Sequence, residues 1–351
     1  MQKLKIAIIG AGNIGHCHAN AYQKLNNVEI TAVCDINRER ADQFAQLYQI
    51  PHVYDNHSDL LAAQVADAVS VCVWNNAHAH ISIDALNSGV HVLCEKPMAL
   101  NTAQCLEMEK AAESNHKVLI PGFCTRYEEG IQLLKRYIAE GRLGRIYYVK
   151  AIYLRRHGNP GGWFSDYARS GGGPVIDLGV HVLDLARYLA GGQASAVTAC
   201  TNKIPEETVR SYAPHFSADA ASRHDVEDFA SAFIRMDNGV SIQFETSWNH
   251  HIESDIFQIE LYGDKGGVRA YPKLRIMCDD MGTCCNIDPY HSNHEENPNY
   301  DFDKEIEHFT AVIRKETGMM CSAKDGTEVM RMVDAIYQSA RESREIIIVR
   351  E

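Results

Sequence analysis

Residues 5–15 read KIAIIGAGNIG, and this stretch decides the fold of the first part of the chain. A short apolar strand, Lys5–Ile9, runs into the pattern G-x-G-x-x-G and then into a helical pattern. Gly10 allows a tight turn, Gly12 lets a ligand approach the backbone, and Gly15 lets the helix pack close to the strand. In this strand–turn–helix context the pattern predicts a dinucleotide site. The predicted cofactor contacts in this turn are Gly10, Gly12, Asn13, Ile14 and Gly15.

The acidic residue at the end of the second predicted strand indicates which dinucleotide binds. Strand Val28–Cys34 is followed by Asp35, 20 residues after Gly15. A carboxylate at this place accepts hydrogen bonds from both hydroxyls of the adenine ribose and repels a 2′-phosphate. The cofactor is therefore expected to be NAD, and Arg38, also a predicted cofactor contact, keeps NADP as the less favoured alternative. A plain glycine turn followed by a capping Asp is disfavoured by the strand–turn–helix context.

The order of the predicted elements indicates two domains. Strands and helices alternate up to Val118–Pro121, which predicts an α/β domain with a parallel sheet covered on both faces. After residue 122 many strands follow one another, and Asp237-Asn238-Gly239 between two of them is a hairpin signal. We therefore expect residues 1–122 to form the nucleotide domain and 123–351 an α+β domain with an antiparallel sheet. Whether the C-terminal helix packs back on the first domain stays open.

Composition excludes several classes of protein. The net charge of −12 argues against a nucleic-acid or anionic-membrane surface. We see no stretch of the roughly 18 apolar residues that a membrane helix needs. The 11 cysteines are an odd number scattered through predicted elements, which suits reduced thiols. These features predict a cytoplasmic protein with no nucleic-acid or membrane partner.

One cluster of cysteines and histidines invites a zinc interpretation. Cys284-Cys285 precedes His291 and His294 in the polar segment Cys278–Tyr300. Their spacing matches no compact zinc pattern, and adjacent cysteines rarely bind one tetrahedral ion. We therefore expect this segment to be a long loop and the protein to need no metal.

Two further segments carry candidate catalytic residues. The first is Cys94-Glu95-Lys96-Pro97 at the end of a predicted strand. Ligands of open α/β sheets bind at the carboxyl ends of the strands, so Lys96 is expected near the nicotinamide. The alternative is a surface lysine before a helix, which describes most lysines.

The second segment, residues 171–184, reads GGGPVIDLGVHVLD and predicts a helix beginning at Pro174 and ending before Gly191-Gly192. The predicted helix is apolar nearly all round except for one polar face. A helix of this kind presents its polar face to a cleft, or it holds a structural His–Asp pair in a core; the pattern alone supports both equally. The polar face comprises Asp177, His181, Asp184 and Tyr188.

The two segments together supply the groups that alcohol oxidation needs. A histidine has an ordinary pKa of about 6.5, so neutral His181 can accept the hydroxyl proton as hydride leaves the carbon. Asp177 can orient the ring and stabilise the imidazolium, and Lys96 can stabilise charge on the substrate oxygen. In the reverse direction His181 serves as the acid.

These motifs together resemble the glucose–fructose oxidoreductase/inositol dehydrogenase (Gfo/Idh/MocA) family over essentially the whole chain. The resemblance makes Lys96, Asp177 and His181 the catalytic set. Val73-Trp74-Asn75-Asn76-Ala77-His78 looks like the family's loop beside the cofactor, although only Asn75 and His78 match it. Glu95 is also expected at the cofactor. The family implies a Rossmann domain, a large and mainly antiparallel open sheet, a homodimer or homotetramer, and often a cis Lys–Pro bond.

Substrate candidates follow from position and from the same resemblance. Residues 154–163 look like the corresponding stretch of glucoside 3-dehydrogenases, which favours a sugar or glucoside oxidised at C3. Arg126 could bind substrate hydroxyls or join the domains in a salt bridge. The alternatives are a dehydrogenase of inositol or another polyol or diol, and a non-catalytic dinucleotide-binding sensor. The alternative for Arg155, Arg156 and His157 is a solvated strand end, and for Trp163 it is core packing. The candidate substrate contacts are Arg126, Tyr127, Arg155, Arg156, His157, Trp163, Asp177 and His181.

Overall fold

The computed structural model describes residues 3–205, 224–289, 297 and 299–350. The chain divides into two compact units, the first formed by Met1–Tyr127 and Asn293–Thr327, and the second by Glu128–Ser292 and Glu328–Glu351. The boundary expected after residue 122 therefore lies five residues before the observed one. In addition, the segment Asn293–Thr327 belongs to the first unit, whereas the sequence placed it in the second domain.

The secondary structure follows the expected alternation and then the expected succession of strands. Up to residue 122 the elements are β1 (Leu4–Ile9), α1 (Asn13–Gln23), β2 (Val28–Cys34), α2 (Arg38–Tyr48), β3 (His52–Tyr54), α3 (His57–Ala62), β4 (Ala68–Val71), α4 (Asn75–Asn87), β5 (His91–Glu95), α5 (Thr102–Ser114) and β6 (Leu119–Gly122). Beyond it they are α6 (Glu129–Ala139), β7 (Ile146–Leu154), α7 (Tyr167–Ser170), α8 (Val180–Ala190), β8 (Ala194–Asn202), β9 (Phe229–Met236), β10 (Ser241–Ser247), β11 (Ile256–Gly263), β12 (Gly266–Arg269), β13 (Arg275–Asp280), β14 (Thr283–Ile287), α9 (Tyr300–Ile313), α10 (Ala323–Glu342) and β15 (Ile346–Ile347). Among the described helices, none is both long and apolar enough to span a bilayer.

The first unit is built on a six-stranded parallel sheet in the order β3-β2-β1-β4-β5-β6. The central strands β1 and β4 are buried from Ile6 to Ile9 and from Ala68 to Val71, and nearly all of these residues are apolar, as strands covered on both faces require. The strand order reverses beside β1, and ligands of such sheets bind at this switch point, outside the carboxyl ends of the strands. Gly10, Asp35 and Lys96 follow β1, β2 and β5, so all three belong to that edge.

The second unit contains a nine-stranded sheet in the order β14-β13-β12-β11-β7-β10-β9-β8-β15. Neighbouring strands run antiparallel except β7 and β10, which pair in parallel from Tyr148↔Ser241 to Leu154↔Ser247. Parallel neighbours need a crossover connection, and residues 155–240 supply it. The expected mainly antiparallel sheet is confirmed, with this one parallel pair added.

The polar segment Cys278–Tyr300 differs from its prediction. Residues up to Ile287 form a hairpin of β13 and β14 rather than a loop, with Cys278 paired to Cys285. The strands were missed because β14 is largely exposed and lacks the alternation of apolar and polar residues. His291 and His294 lie outside the described residues. Cys284 and Cys285 are adjacent on a strand and therefore point to opposite faces, which argues against one shared metal ion.

Candidate active site

The glycine turn after β1 has the shape that a pyrophosphate needs. Gly10 has a φ of +103°, and a Cβ there would lie 2.2 Å from the Cys72 carbonyl oxygen. A Cβ on Gly15 would lie 2.2 Å from the Gly10 carbonyl oxygen, so the helix and the turn touch. Gly12, by contrast, has open space around its Cβ position and begins α1 without a side-chain cap. This open, uncapped helix start fits the phosphates of a dinucleotide.

Asp35 braces this turn from the end of β2. Its Oδ2 accepts a hydrogen bond from the Ala11 N–H at 2.9 Å, and its Oδ1 accepts one from Asn37 N–H at 2.8 Å. Arg38 was expected beside it, but the Arg38 Nε lies 3.0 Å from Asp42 on the exposed face of α2. The guanidinium nearest to Asp35 belongs instead to Arg40, at 3.7 Å. Arg38 and Arg40 are two residues apart on α2 and therefore point to roughly opposite sides of the helix, so only Arg40 faces the carboxylate.

His78 connects the loop after β4 with the turn after β5. Its Nδ1 lies 2.6 Å from the Pro97 carbonyl oxygen and its Nε2 lies 3.1 Å from that of Val73. Burial lowers the pKa of His78, so the ring is neutral and donates one of these two contacts. We assign the proton to Nδ1, which makes the shorter contact. His78 and the neighbouring Asn75 are both buried, and His78 acts through the backbone of the Lys96-Pro97 turn.

Glu95 was expected at the cofactor, but its carboxylate is turned into the first unit. Its Oε2 accepts a hydrogen bond from the Lys96 N–H at 3.1 Å, and its Oε1 lies 2.8 Å from His18 Nε2. A Cβ on Gly122 would come within 3.2 Å of Glu95, so the glycine leaves room for this side chain. Lys96 itself is half-buried, and the Lys96–Pro97 bond is cis, as the resemblance implies. Glu95 therefore supports the turn that carries Lys96.

A buried polar network extends beneath that turn. His18 Nδ1 lies 3.0 Å from the Ser70 hydroxyl, which lies 2.9 Å from the Tyr22 hydroxyl. Glu305 of α9 brings a second buried carboxylate, so that possible ligand atoms of His18, Glu95 and Glu305 lie within 4.8 Å of one another. The 2.8 Å spacing of His18 and Glu95 is that of a hydrogen bond. We interpret the group as a hydrogen-bonded network rather than a metal centre.

In the second unit, the helix carrying the candidate base does not begin as an α-helix. Val175–Gly179 forms a π-helical turn and α8 follows it, whereas the sequence predicted one α-helix from Pro174. The wide turn packs directly on β10, because a Cβ on Gly179 would lie 2.7 Å from the Phe244 ring. Thr246 on the same strand donates to the Pro174 carbonyl oxygen at 3.3 Å. Wide turns of this kind are frequent at functional sites.

Asp177 lies in this wide turn, with a donor on one side and a cation nearby. Its Oδ2 accepts a hydrogen bond from the Nε1–H of Trp248 at 3.0 Å, and Trp248 is fully buried. Arg155 donates to the Tyr153 hydroxyl at 2.9 Å. Burial acts to lower the pKa of Arg155, but the charges of Tyr153 and Asp177 raise it, so Arg155 remains a cation in the field of Asp177. The indole N–H and the guanidinium both complement the negative charge of a carboxylate.

The residues of the predicted polar face differ in their surroundings. His181 is half-buried and Asp184 is fully buried. Tyr188, at the far end, accepts a hydrogen bond from Gln132 at 3.2 Å and carries the Lys135 ammonium 4.4 Å from its ring centroid. Tyr188 thus packs against α6, and Asp177 and His181 remain the candidate catalytic residues of this helix.

Arg126 and Tyr127 are packed inside the first unit. Arg126 is 1% exposed and donates to the Met320 carbonyl oxygen at 3.1 Å, with Asp325 at 3.5 Å. The Tyr127 ring lies 5.3 Å from His308. These contacts favour the salt-bridge alternative, although the salt bridge lies within the first unit and does not join two domains. They argue against Arg126 as a donor to the substrate.

The other substrate candidates are less enclosed. Arg156 is exposed, and its side chain donates to the Glu253 carbonyl oxygen at 2.8 Å. His157 is exposed as well. Trp163 stacks on Phe164 with ring centroids 3.9 Å apart. Arg155 is the candidate whose charge couples to Asp177.

Sequence reasoning missed the residues that hold the candidate catalytic groups in place. Trp248 is 71 residues from Asp177, and His18 is 77 residues from Glu95. Neither carries a local motif, and only the folded sheet brings these partners together. The one signal that could have pointed to Trp248 is its position directly after β10, the strand on which the wide turn packs.

Comparison with known proteins shows the family to which the chain belongs. Residues 4–123 match the family model described as an oxidoreductase family with an NAD-binding Rossmann fold, and 131–269 match the GFO/IDH/MocA C-terminal domain. The D-glucoside 3-dehydrogenase of Escherichia coli K12 is 34% identical over 96% of this chain and 95% of its own length. The levoglucosan dehydrogenase of Pseudarthrobacter phenanthrenivorans is 28% identical over 76% of this chain and 73% of its own. In fold, a levoglucosan dehydrogenase solved with NADH and L-sorbose superimposes with a TM-score of 0.89 over 100% of both chains, at 24% identity. This chain therefore belongs to the GFO/IDH/MocA family of NAD-binding oxidoreductases.

Proposed function

We propose that this enzyme oxidises a ring secondary alcohol of a glucopyranose or glucoside, with C3 the favoured position. The proposed chemistry depends on Asp177, which lies four residues before His181. Trp248 donates a hydrogen bond to the Asp177 carboxylate. The substrate class rests on the nearly full-length likeness to the E. coli glucoside 3-dehydrogenase. The proposal includes assembly into a homo-oligomer.

His181, Asp177 and Lys96 carry the proton and charge chemistry in this proposal. NAD, when bound, supplies the acceptor for the hydride that leaves the ring carbon. His181 takes the proton of the reacting hydroxyl, and the ionised Asp177 stabilises the imidazolium that results. Lys96 donates a hydrogen bond to the substrate oxygen and stabilises charge on it while the carbonyl forms. In the direction of reduction, His181 returns the proton to the alcohol.

Arg155 and Trp163 are our candidates for holding the sugar ring. A guanidinium has five N–H donors in a fixed fork, which suits neighbouring hydroxyls, and Tyr153 accepts from one nitrogen of Arg155. An indole such as Trp163 presents a flat face to the apolar side of a pyranose. Arg156, whose guanidinium is bonded to the backbone at Glu253, is a weaker candidate.

A substrate panel tests the proposal directly. The enzyme is incubated with NAD and with methyl glucosides, glucose or inositols, and NADH formation is followed by absorbance. The new carbonyl is then located by NMR, and we expect a 3-keto glucoside. Turnover of inositol with none of any glucoside would reassign the substrate to a cyclic polyol. NAD binding without turnover of any alcohol would favour the sensor alternative.

A further inference from the structure

Glu227, two residues before β9, binds the backbone at the start of the helix that carries Asp177 and His181. Its Oε2 accepts a hydrogen bond from the Gly173 N–H at 2.9 Å, and its Oε1 accepts one from the Val175 N–H at 3.1 Å. N–H groups at a helix start have no partner within the helix, so an outside carboxylate that binds two of them fixes where the helix begins.

The glycine run before the helix is shaped around the same contact. A Cβ on Gly172 would lie 2.0 Å from the Tyr337 hydroxyl, and one on Gly173 would lie 2.0 Å from the Glu227 carbonyl oxygen. The Tyr337 hydroxyl donates to Glu227 Oε1 at 2.9 Å. The backbone of the glycine run, the carboxylate and the tyrosine therefore touch with no space for a side chain between them.

We propose that Glu227 is a positioning residue, which together with Tyr337 fixes the wide turn bearing Asp177 and, one turn later, His181. The proposal rests on the proposed function for the roles of those two residues. Displacements of about 1 Å at reacting groups can lower rates about 100-fold, so a loosened helix start should be visible in turnover. Glu227 acts on the catalytic residues through the backbone of the turn. Because the cofactor motifs lie in the first unit, a change at Glu227 should leave the affinity for NAD unchanged.

The charge state of Glu227 gives the proposal a pH signature. Burial of the carboxylate raises the pKa of Glu227 to about 7, even though the N–H groups of Gly173 and Val175 lower it. The titratable group that faces it is Tyr337 of α10, which in turn faces Tyr167 of α7. A protonated carboxyl is a weaker acceptor than a carboxylate, so the hold on the turn weakens as pH falls through about 7.

Three variants of the full-length enzyme test the proposal. Glu227→Gln replaces one acceptor oxygen by a donor that faces a backbone N–H. Tyr337→Phe removes only the hydroxyl, and the loss of that donor should raise the pKa of Glu227 further. Ser339→Ala is the matched control. It removes a buried hydroxyl from the same helix, but this hydroxyl bonds to the backbone of Ala199 and Arg344 and not to Glu227.

We expect Glu227→Gln to lower kcat at least about tenfold while the Kd for NAD stays unchanged. Tyr337→Phe should lower kcat less and move the ascending limb of its pH profile to higher pH. Hydrogen exchange of residues 173–181, measured without substrate, should accelerate in both variants. Ser339→Ala should match the wild type in kcat, pH profile and exchange.

The proposal would be overturned if Glu227→Gln had the same kcat, the same pH profile and the same hydrogen exchange as the wild type. If that variant does not fold, the same results in Tyr337→Phe would overturn it. Absence of turnover with every glucoside would refute the proposed substrate alone, since the exchange comparison needs no substrate and still decides whether Glu227 holds the turn.

Discussion

Replacing Trp248 by phenylalanine should slow the reaction far more than it weakens the binding of NAD. The change removes the Nε1–H that donates to Asp177 Oδ2 at 3.0 Å and keeps an aromatic ring in the buried position. Asp177 then loses a donor in a place where little water can replace it. Its carboxylate is freer to turn away from the position that stabilises a protonated His181.

The expected magnitude follows from the energy of that hydrogen bond. A hydrogen bond to a charged group contributes about 1.5–3 kcal/mol when its loss leaves the partner unsatisfied. Since 1.4 kcal/mol corresponds to a factor of ten in rate, kcat should fall by about 10- to 100-fold. The smaller ring also loosens the core formed by Leu178, Val226 and Trp248, at a cost of about 1–3 kcal/mol in the free energy of unfolding.

The two effects are separated by a control in the same core. Phe164 packs against that cluster, and Phe164→Leu reduces its apolar contact while keeping the Trp248 donor. Both variants are assayed for kcat, for NAD affinity by titration, and for unfolding by denaturant. A loss of kcat in Phe164→Leu equal to that in Trp248→Phe would show that packing explains the effect. Unchanged kcat in Trp248→Phe would refute the role of the hydrogen bond.

Three further predictions concern the remaining groups. Lys96→Ala and His181→Ala should each lower kcat at least about 100-fold, with NAD affinity measured by titration little changed. Asp35→Asn should bring the Kd for NADP closer to that for NAD, because Arg40 lies 3.7 Å from that side chain and no carboxylate then repels a 2′-phosphate; an unchanged ratio of the two constants would contradict this. The pKa of Glu227 is raised from 4.5 to about 7, so the folded state binds its proton more tightly than the unfolded state. Because burial disfavours the charged carboxylate, its contribution to the stability of the whole fold is complete below pH 4.5 and is lost as pH rises through 7, by about 3 kcal/mol, even though the carboxylate binds the turn more strongly than the protonated group does. Denaturant unfolding at several pH values should show this slope in the wild type and a flatter one in Glu227→Gln.

The sequence predicted the first unit well because each part of it has a local cause. Continuous apolar runs mark buried parallel strands, and Gly10 and Gly15 are required by contacts with Cys72 and with the turn itself. Short elements such as His52–Tyr54 were missed because three residues carry too little periodicity. The return of Asn293–Thr327 to this unit was missed because it depends on packing between distant parts of the chain.

The candidate site was predicted in its residue types and less well in its supporting contacts. Lys96, Asp177 and His181 stand in recognisable motifs, but a motif does not show where a side chain points. Glu95 and Arg126 illustrate the difference. Glu95 ends β5 and Arg126 follows β6, but both side chains point into the interior of the first unit. The π-helical turn at Val175–Gly179 was also invisible, because it depends on how closely Gly179 approaches Phe244.

Buried polar groups hold both candidate catalytic segments in place. These groups orient the catalytic residues more than they stabilise the fold. Glu95 lies beneath Lys96, and Glu227 and Trp248 hold the turn of Asp177. A buried polar group costs free energy unless its partners satisfy it, and apolar side chains of the same size would often be as stable. What these groups add is direction, because a hydrogen bond fixes the orientation of its partner and an apolar contact does not. Substitutions that preserve volume but remove these bonds should therefore reduce turnover more than they reduce the free energy of unfolding.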